Sequence, residues 1–222
     1  MMSSKLDLDA ARRVCEVVAG GRLLPGSSVA EVHARGVRVV LAFRLNAAEV
    51  ERRQEAGAEP VLDRSALEGL MQLPAGLPVP SSVLTARERS LLRRCPQHAV
   101  ERRDGGLVRR LVTPLEVDLA VVRASRPARG ALVRAGRFGA YTTSAVWLDG
   151  PAAGSELLVM EAGVYGLGAV RGQAGEAPEL LVAPRSSSRF GHTSAGWLFT
   201  EQVYAQLLQA SDVISLLPQP TR

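Results

Sequence analysis

Residues Thr113–Gly150 read TPLEVDLAVVRASRPARGALVRAGRFGAYTTSAVWLDG. Leu115, Val117, Leu119 and Val121 alternate with Glu116, Asp118, Ala120 and Val122, the period-two pattern of a strand. The stretch from Arg123 to Arg137 holds Pro127, Gly130 and five arginines, and it reads as a polar loop. Phe138–Leu148 reads as a second long strand that Asp149-Gly150-Pro151 turns. Shorter strands are expected at Leu157–Met160, Tyr165–Arg171 and Glu179–Val182, separated by glycine-rich turns. A loop follows at Ser186–Ser194. A helix from about Thr200 puts Val203, Tyr204, Leu207 and Leu208 on one face, and the tail after Asp212 is expected to fray.

The N-terminal side reads differently. Leu8, Ala11, Val14, Cys15 and Val18 fall at helical spacing, with Asp7 placed to cap and Gly20-Gly21 to stop the helix. Pro25–Ser28 is a loop, and Val37–Leu45 alternates as a half-buried strand. Asn46 with Glu49 three residues on is a capping-box arrangement for a helix through Ala56. Asp63 precedes a short helix near Ser65–Gln72. Thr85 and Glu88 repeat the capping box, and Cys95-Pro96 stops that helix. Leu107–Val112 fits helix or strand equally, after an Asp104-Gly105-Gly106 turn.

Helices dominate the first part and a meander with a closing helix the second. The order argues an α+β fold, an antiparallel sheet flanked by helices, rather than a doubly wound sheet. The proline-rich run LPAGLPVPSS, Leu73–Ser82, marks the expected boundary. Residues 1–82 form a helix-strand-helix half, 83–210 a helix plus antiparallel meander and closing helix, and 211–222 a tail.

The net charge of +5 over 222 residues is unevenly placed. Thirteen of 26 arginines lie between Arg87 and Arg137 with five acidic residues, so this segment carries +8 and the remainder −3. There is one lysine, one isoleucine and one asparagine, which points to GC-rich coding. That bias raises the arginine total without explaining the clustering. No apolar run approaches the roughly 18 residues of a membrane span, and Met1–Arg13 has no signal-peptide core. A cytoplasmic protein without membrane insertion is expected. Cys15 and Cys95 have no CxxC spacing and read as unpaired thiols of a reducing compartment.

Catalytic chemistry finds little support. His33, His98 and His192 are far apart and offer no converging metal ligands. Ser186–Ser188 precede Arg189 and His192 without a G-x-S-x-G elbow. Gly163, Gly166 and Gly168 match neither phosphate-binding fingerprint and read as turns or bulges. No catalytic residue, metal or cofactor is expected. Binding has better support. Arg126, Arg129, Arg134 and Arg137 crowd one loop and form the predicted partner-binding site, either for an acidic protein surface or for nucleic acid. Phe138, Tyr141 and Trp147 follow and would suit base stacking. Phe138 and Tyr141 have opposite strand parity, however, so one of them must face the core.

The runs LPAGLPVPSSVLTARERSLLRR, GGLVRRLVTPLEVDLAVV and GRFGAYTTSAVWLDG, with the opening LDLDAARRVCEVVAGGRLLP, resemble the EspG family, the cytoplasmic substrate-specific chaperones of actinobacterial type VII secretion. The shared features are a helix with a Glu-Arg pair after a proline-rich turn, a proline before an acidic-apolar strand, an arginine-rich loop, and a second strand ending in Asp-Gly. The resemblance covers about half the chain. The closing AGWLFTEQVYAQLLQ departs from the family, which leaves the substrate-docking helices outside the comparison. The resemblance implies an α+β fold with two related halves, no catalysis, and binding of a helical secretion substrate. On this reading the first surfaces to test are the Arg123–Arg137 loop and the Thr200–Gln209 helix. Nucleic-acid binding through the arginine-rich 87–137 segment is the competing expectation.

Overall fold

The computed structural model describes residues 7–103, 105–150, 155–173, 175–185 and 192–210. The fold is α+β, with seven α-helices, a six-stranded sheet and a three-stranded sheet among these residues. The chain forms two compact units, each made of two separate stretches. Unit 1 comprises Met1–Arg44 with Val117–Phe190, and unit 2 comprises Leu45–Glu116 with Gly191–Arg222. The proline-rich run at 73–82 therefore lies inside unit 2, and the chain does not divide at residue 82 as its composition suggested.

In unit 1 the capped helix forms as expected. Helix α1, Leu8–Val18, starts at Asp7, whose side chain accepts from the amides of Asp9 and Ala10. Strand β1, Ser27–Ala34, pairs antiparallel with β2, Val37–Leu45. Arg35 and Gly36 join them with φ of 54° and 71°, the two positive values that a two-residue hairpin loop of the right twist requires. Strand β6, Leu115–Ala124, lies beside β2 and carries the sheet on to β7, Thr143–Leu148. Strand β8, Gly168–Arg171, and β9, Glu179–Val182, complete the order β1-β2-β6-β7-β8-β9.

The antiparallel meander expected in the second part of the chain does not form. Strands β6 and β7 are parallel, as are β7 and β8, and β9 returns antiparallel to β8. Parallel neighbours need crossovers, and two helices supply them. Helix α5, Arg129–Gly136, occupies the expected arginine-rich loop. Helix α6, Glu156–Tyr165, occupies the expected strand at Leu157–Met160. The sheet is consequently covered on both faces. Helix α1 packs with Val40, Ala42, Leu119, Val121, Ala145, Trp147 and Val170 on one face. Ala120, Val122, Val146 and Leu148 have the opposite parity and are also buried, on the side where α5 meets β7 and α6 meets β8. Double coverage explains why Val39–Phe43 is buried without alternation, contrary to the half-buried strand expected there.

Unit 2 combines helices with the antiparallel sheet β3-β5-β4, formed by Pro78–Pro80, Gly106–Arg109 and Val100–Arg103. Helix α2, Ala47–Glu55, is capped by Asn46, and α3, Arg64–Met71, by Asp63. Helix α4, Ala86–Leu92, has the reciprocal Thr85–Glu88 capping box. Helix α7, Ser194–Gln209, starts six residues earlier than its sequence suggested, at a Thr193 cap. Leu67, Leu70, Leu73, Leu84, Leu111 and Trp197 centre the core. Gly69 lets α3 approach α4 closely, because a Cβ there would sit 2.9 Å from Leu91 Cβ. Thr85→Ala removes the side-chain half of the capping box and should cost about 1 kcal/mol, measured as a fall in denaturation midpoint at constant slope.

Candidate functional site

The structure redistributes the arginine cluster. Unit 1 carries 15 basic and 10 acidic side chains, whereas unit 2 carries 12 of each. The whole net charge of +5 therefore belongs to unit 1. In unit 2 several arginines have acidic or aromatic partners. Arg87 pairs with Glu68, Arg94 with Asp63 and Arg110 with Glu101. Arg109 lies over the Trp197 ring, 5.3 Å from its centroid. In unit 1, Arg123 pairs with Asp149 and covers the Trp147 ring.

The four predicted partner-binding residues fall on or beside α5, and they are not equivalent. Arg126 is exposed in the short connection between β6 and α5. Arg129, the first residue of α5, is exposed, and its charged form is favoured by the nearby Tyr165 hydroxyl and the Glu161 carboxylate of the neighbouring helix. Arg134 is half-buried in the last turn. Arg137 caps the helix and donates to the Arg35 carbonyl at 3.1 Å. Arg126, Arg129 and Arg137 thus present charge to solvent. The aromatic residues that follow do not flank them. Phe138 and Trp147 are 0% and 3% exposed, and Tyr141 is half-buried with Arg35 5.4 Å from its centroid.

Unit 1 also carries a second surface that the strand expected at Leu157–Met160 did not anticipate. Helix α6 buries only Leu158 and Ala162. Its Leu157, Met160, Val164 and Tyr165 are 62%, 62%, 67% and 57% exposed. Residues 157, 160 and 164 fall on one helical stripe. Val133 is exposed on α5, one turn from Arg129 on the same face, and Arg129 lies near Glu161 and Tyr165 of α6. The patch therefore spans both helices. A readable signal existed in Leu157–Val164, where apolar residues fill every position but Glu161 and Gly163. Its lack of period hid the helix.

The remaining expectations concern chemistry. On the helix beyond Thr200, Val203, Tyr204 and Leu207 are core, at most 3% exposed, and of the expected stripe Leu208 alone, at 38%, reaches solvent, which is too little apolar surface for docking. Gly163 lies inside α6, Gly166 ends it with φ of 72°, and Gly168 opens β8 where a Cβ would meet Ala145 at 2.9 Å. Their roles are a helix end and close packing rather than turns between strands. Burial pushes the Cys15 thiol up to about 12 and the Cys95 thiol to about 11, values at which little reactive thiolate exists at neutral pH. The described residues hold no group of three or more His, Cys, Asp or Glu side chains able to share a metal ion. Ser186–Ser188 lie outside the described residues, as do Asp104, Pro151 and the tail from Ser211. No helix among the described residues is long and apolar enough to cross a membrane.

Comparison with family models, with curated proteins and with solved structures returns no match.

Proposed function

We propose that the protein is a non-catalytic binding protein of the chaperone or adaptor kind, and that unit 1 presents α5 and its flanks to an acidic surface of a protein partner. The observation that carries this reading is the charge partition. Unit 2 is neutral, while unit 1 holds the full +5 and exposes Arg126, Arg129 and Arg137 on α5 and its flanks. Such a surface steers an acidic partner and favours its approach. The resemblance to EspG chaperones supports the same reading and names a cytoplasmic helical secretion substrate as the partner.

Nucleic acid is the competing partner for these arginines. Burial of Phe138 and Trp147 favours the protein partner, because single-strand binding relies on a series of exposed rings for stacking and only Tyr165, near Arg129, is exposed among the described rings beside these arginines. Capture from the host separates the cases. The wild-type chain should retain a small helical protein with an acidic surface, and Arg126→Ser/Arg137→Ser should lose at least about tenfold in affinity, in line with two charged contacts removed. Both side chains are exposed, so the thermal melt should be nearly unchanged. Undiminished capture by the double variant would refute the assignment of this surface.

A further inference from the structure

The apolar face of α6 lies beside the arginine surface and has a different character. We propose that a second copy of this chain covers it, the two α6 helices packing antiparallel about a two-fold axis. The inference goes beyond the binding reading above and stands without it.

The first support is the stripe itself. A helix with apolar residues on all sides is ordinarily buried on all sides, yet Leu157, Met160 and Val164 are each more than 60% exposed. Contiguous exposed apolar side chains mark a surface that something covers. The second support is register. In an antiparallel pair, an axis between Met160 and Glu161 sets Leu157 against Val164 of the second copy and Met160 beside its symmetry mate. The stripe maps onto itself, as a two-fold interface demands. The third support is charge. The N-terminal end of α6 carries Glu156. The other end carries Arg129 against Tyr165, and Arg185, which donates to the carbonyls of Gly163 and Val164 at 3.1 and 3.4 Å. The same register brings Glu156 to Tyr165 and Arg129 of the second copy, so each end of the helix meets its opposite charge. A uniformly acidic or basic helix would match one end and oppose the other. The second copy fits both.

Sedimentation velocity across a dilution series tests the proposal. The wild-type chain should sediment with twice its 23.6 kDa mass. Met160→Glu and Leu157→Glu should each give the monomer with unchanged far-UV circular dichroism, because both side chains are already solvent-exposed in the single chain, and the melt should fall only by what dimerisation contributes. Met160→Cys should form a disulfide-linked dimer on mild oxidation, which the wild-type chain treated in parallel should not. A chain that is monomeric throughout the series overturns the proposal, as does a dimer that survives both glutamate variants or a Met160→Cys chain that fails to cross-link. A monomeric chain that captures a different protein through Met160 and Leu157 overturns the second copy as occupant and leaves the arginine surface to its own test.

Discussion

Arg53→Met should lower the unfolding free energy by about 3–5 kcal/mol, the range for breaking a buried ion pair from one side. Arg53 is 1% exposed in unit 2. Its Nε donates to Glu49 at 2.7 Å, Nη1 and Nη2 donate to Glu201 at 2.8 and 2.7 Å, and Nη2 also reaches the Val112 carbonyl at 2.9 Å. The guanidinium lies 5.3 Å from the centroid of the Tyr204 ring. Glu201 accepts further from the Val61 amide and the Trp197 indole, each at 3.0 Å. Glu49 is held from outside by Arg52, which donates twice at 2.8 Å. Two carboxylates and two guanidiniums thus form a neutral group that joins α2, α7 and the segment before α3. Methionine fills similar volume but leaves two buried carboxylates with one cation between them.

The same group predicts an acid limit. Burial pushes the Glu49 carboxyl up, but the Arg52 and Arg53 hydrogen bonds outweigh it and hold the group below the usual carboxylate range. Its stabilisation is fully present above the ordinary Glu value and is lost as pH falls through the depressed folded value. The Arg53→Met chain should lose that protection and unfold at higher pH than the wild type. Equal acid midpoints, or a stability loss below about 1 kcal/mol, would show that the network contributes little.

Phe138→Ala should cost about 3–5 kcal/mol, as expected for emptying a fully buried aromatic site. Phe138 is 0% exposed directly after α5, where Ala131, Leu132 and Ala135 are also buried. Arg137→Ser, one residue away, should change stability by only about 0.5 kcal/mol, because its side chain is exposed. The pair gives a contrast within one turn of chain. If Phe138 were a stacking platform for bases, its replacement would weaken binding and spare the fold. Guanidinium denaturation of both variants distinguishes these outcomes.

Local codes made much of the fold legible. Asp7, Asn46, Asp63 and Thr85 each cap a helix where their side chains predicted one. Strands β2 and β6 follow from their β-branched and leucine-rich runs. The failures share a cause, which is that tertiary burial overrode weak local preference. Helix α5 contains two glycines in eight residues, and its propensity alone would not sustain a helix. Ala131, Leu132 and Ala135 hold it against β7. Helix α6 has no period because it is apolar both toward the sheet and away from it. Strand β1, SSVAEVHA, lacks a strong strand signal and is formed by register with β2 through Arg35-Gly36. A loop and a strand in place of α5 and α6 leave no crossovers, and parallel pairing requires them, so the local signals alone point to an antiparallel order.

The candidate site was half legible. The sequence located the arginines around α5, and Arg126, Arg129 and Arg137 are each exposed there, whereas Arg134 is half-buried. It could not show that unit 2 neutralises its own share, because Arg87–Glu68 and Arg94–Asp63 join residues 19 and 31 positions apart. Glu49 illustrates the same limit. Its spacing from Asn46 suggested a capping box, and Asn46 does accept from the Glu49 amide at 3.3 Å. The carboxylate, however, turns inward to Arg53 instead of back to the cap.

The most direct test of the central claim is a titration of the purified chain with mixed-sequence single- and double-stranded DNA across a salt series. A protein-binding surface with no exposed stacking rings at Phe138 or Trp147 should bind DNA no more tightly than non-specific basic proteins do, with a dissociation constant weaker than about 1 μM at physiological salt. Affinity tighter than about 1 μM with a steep negative salt slope, lost in Arg126→Ser/Arg137→Ser, would contradict the account and assign the arginine surface to a phosphate backbone.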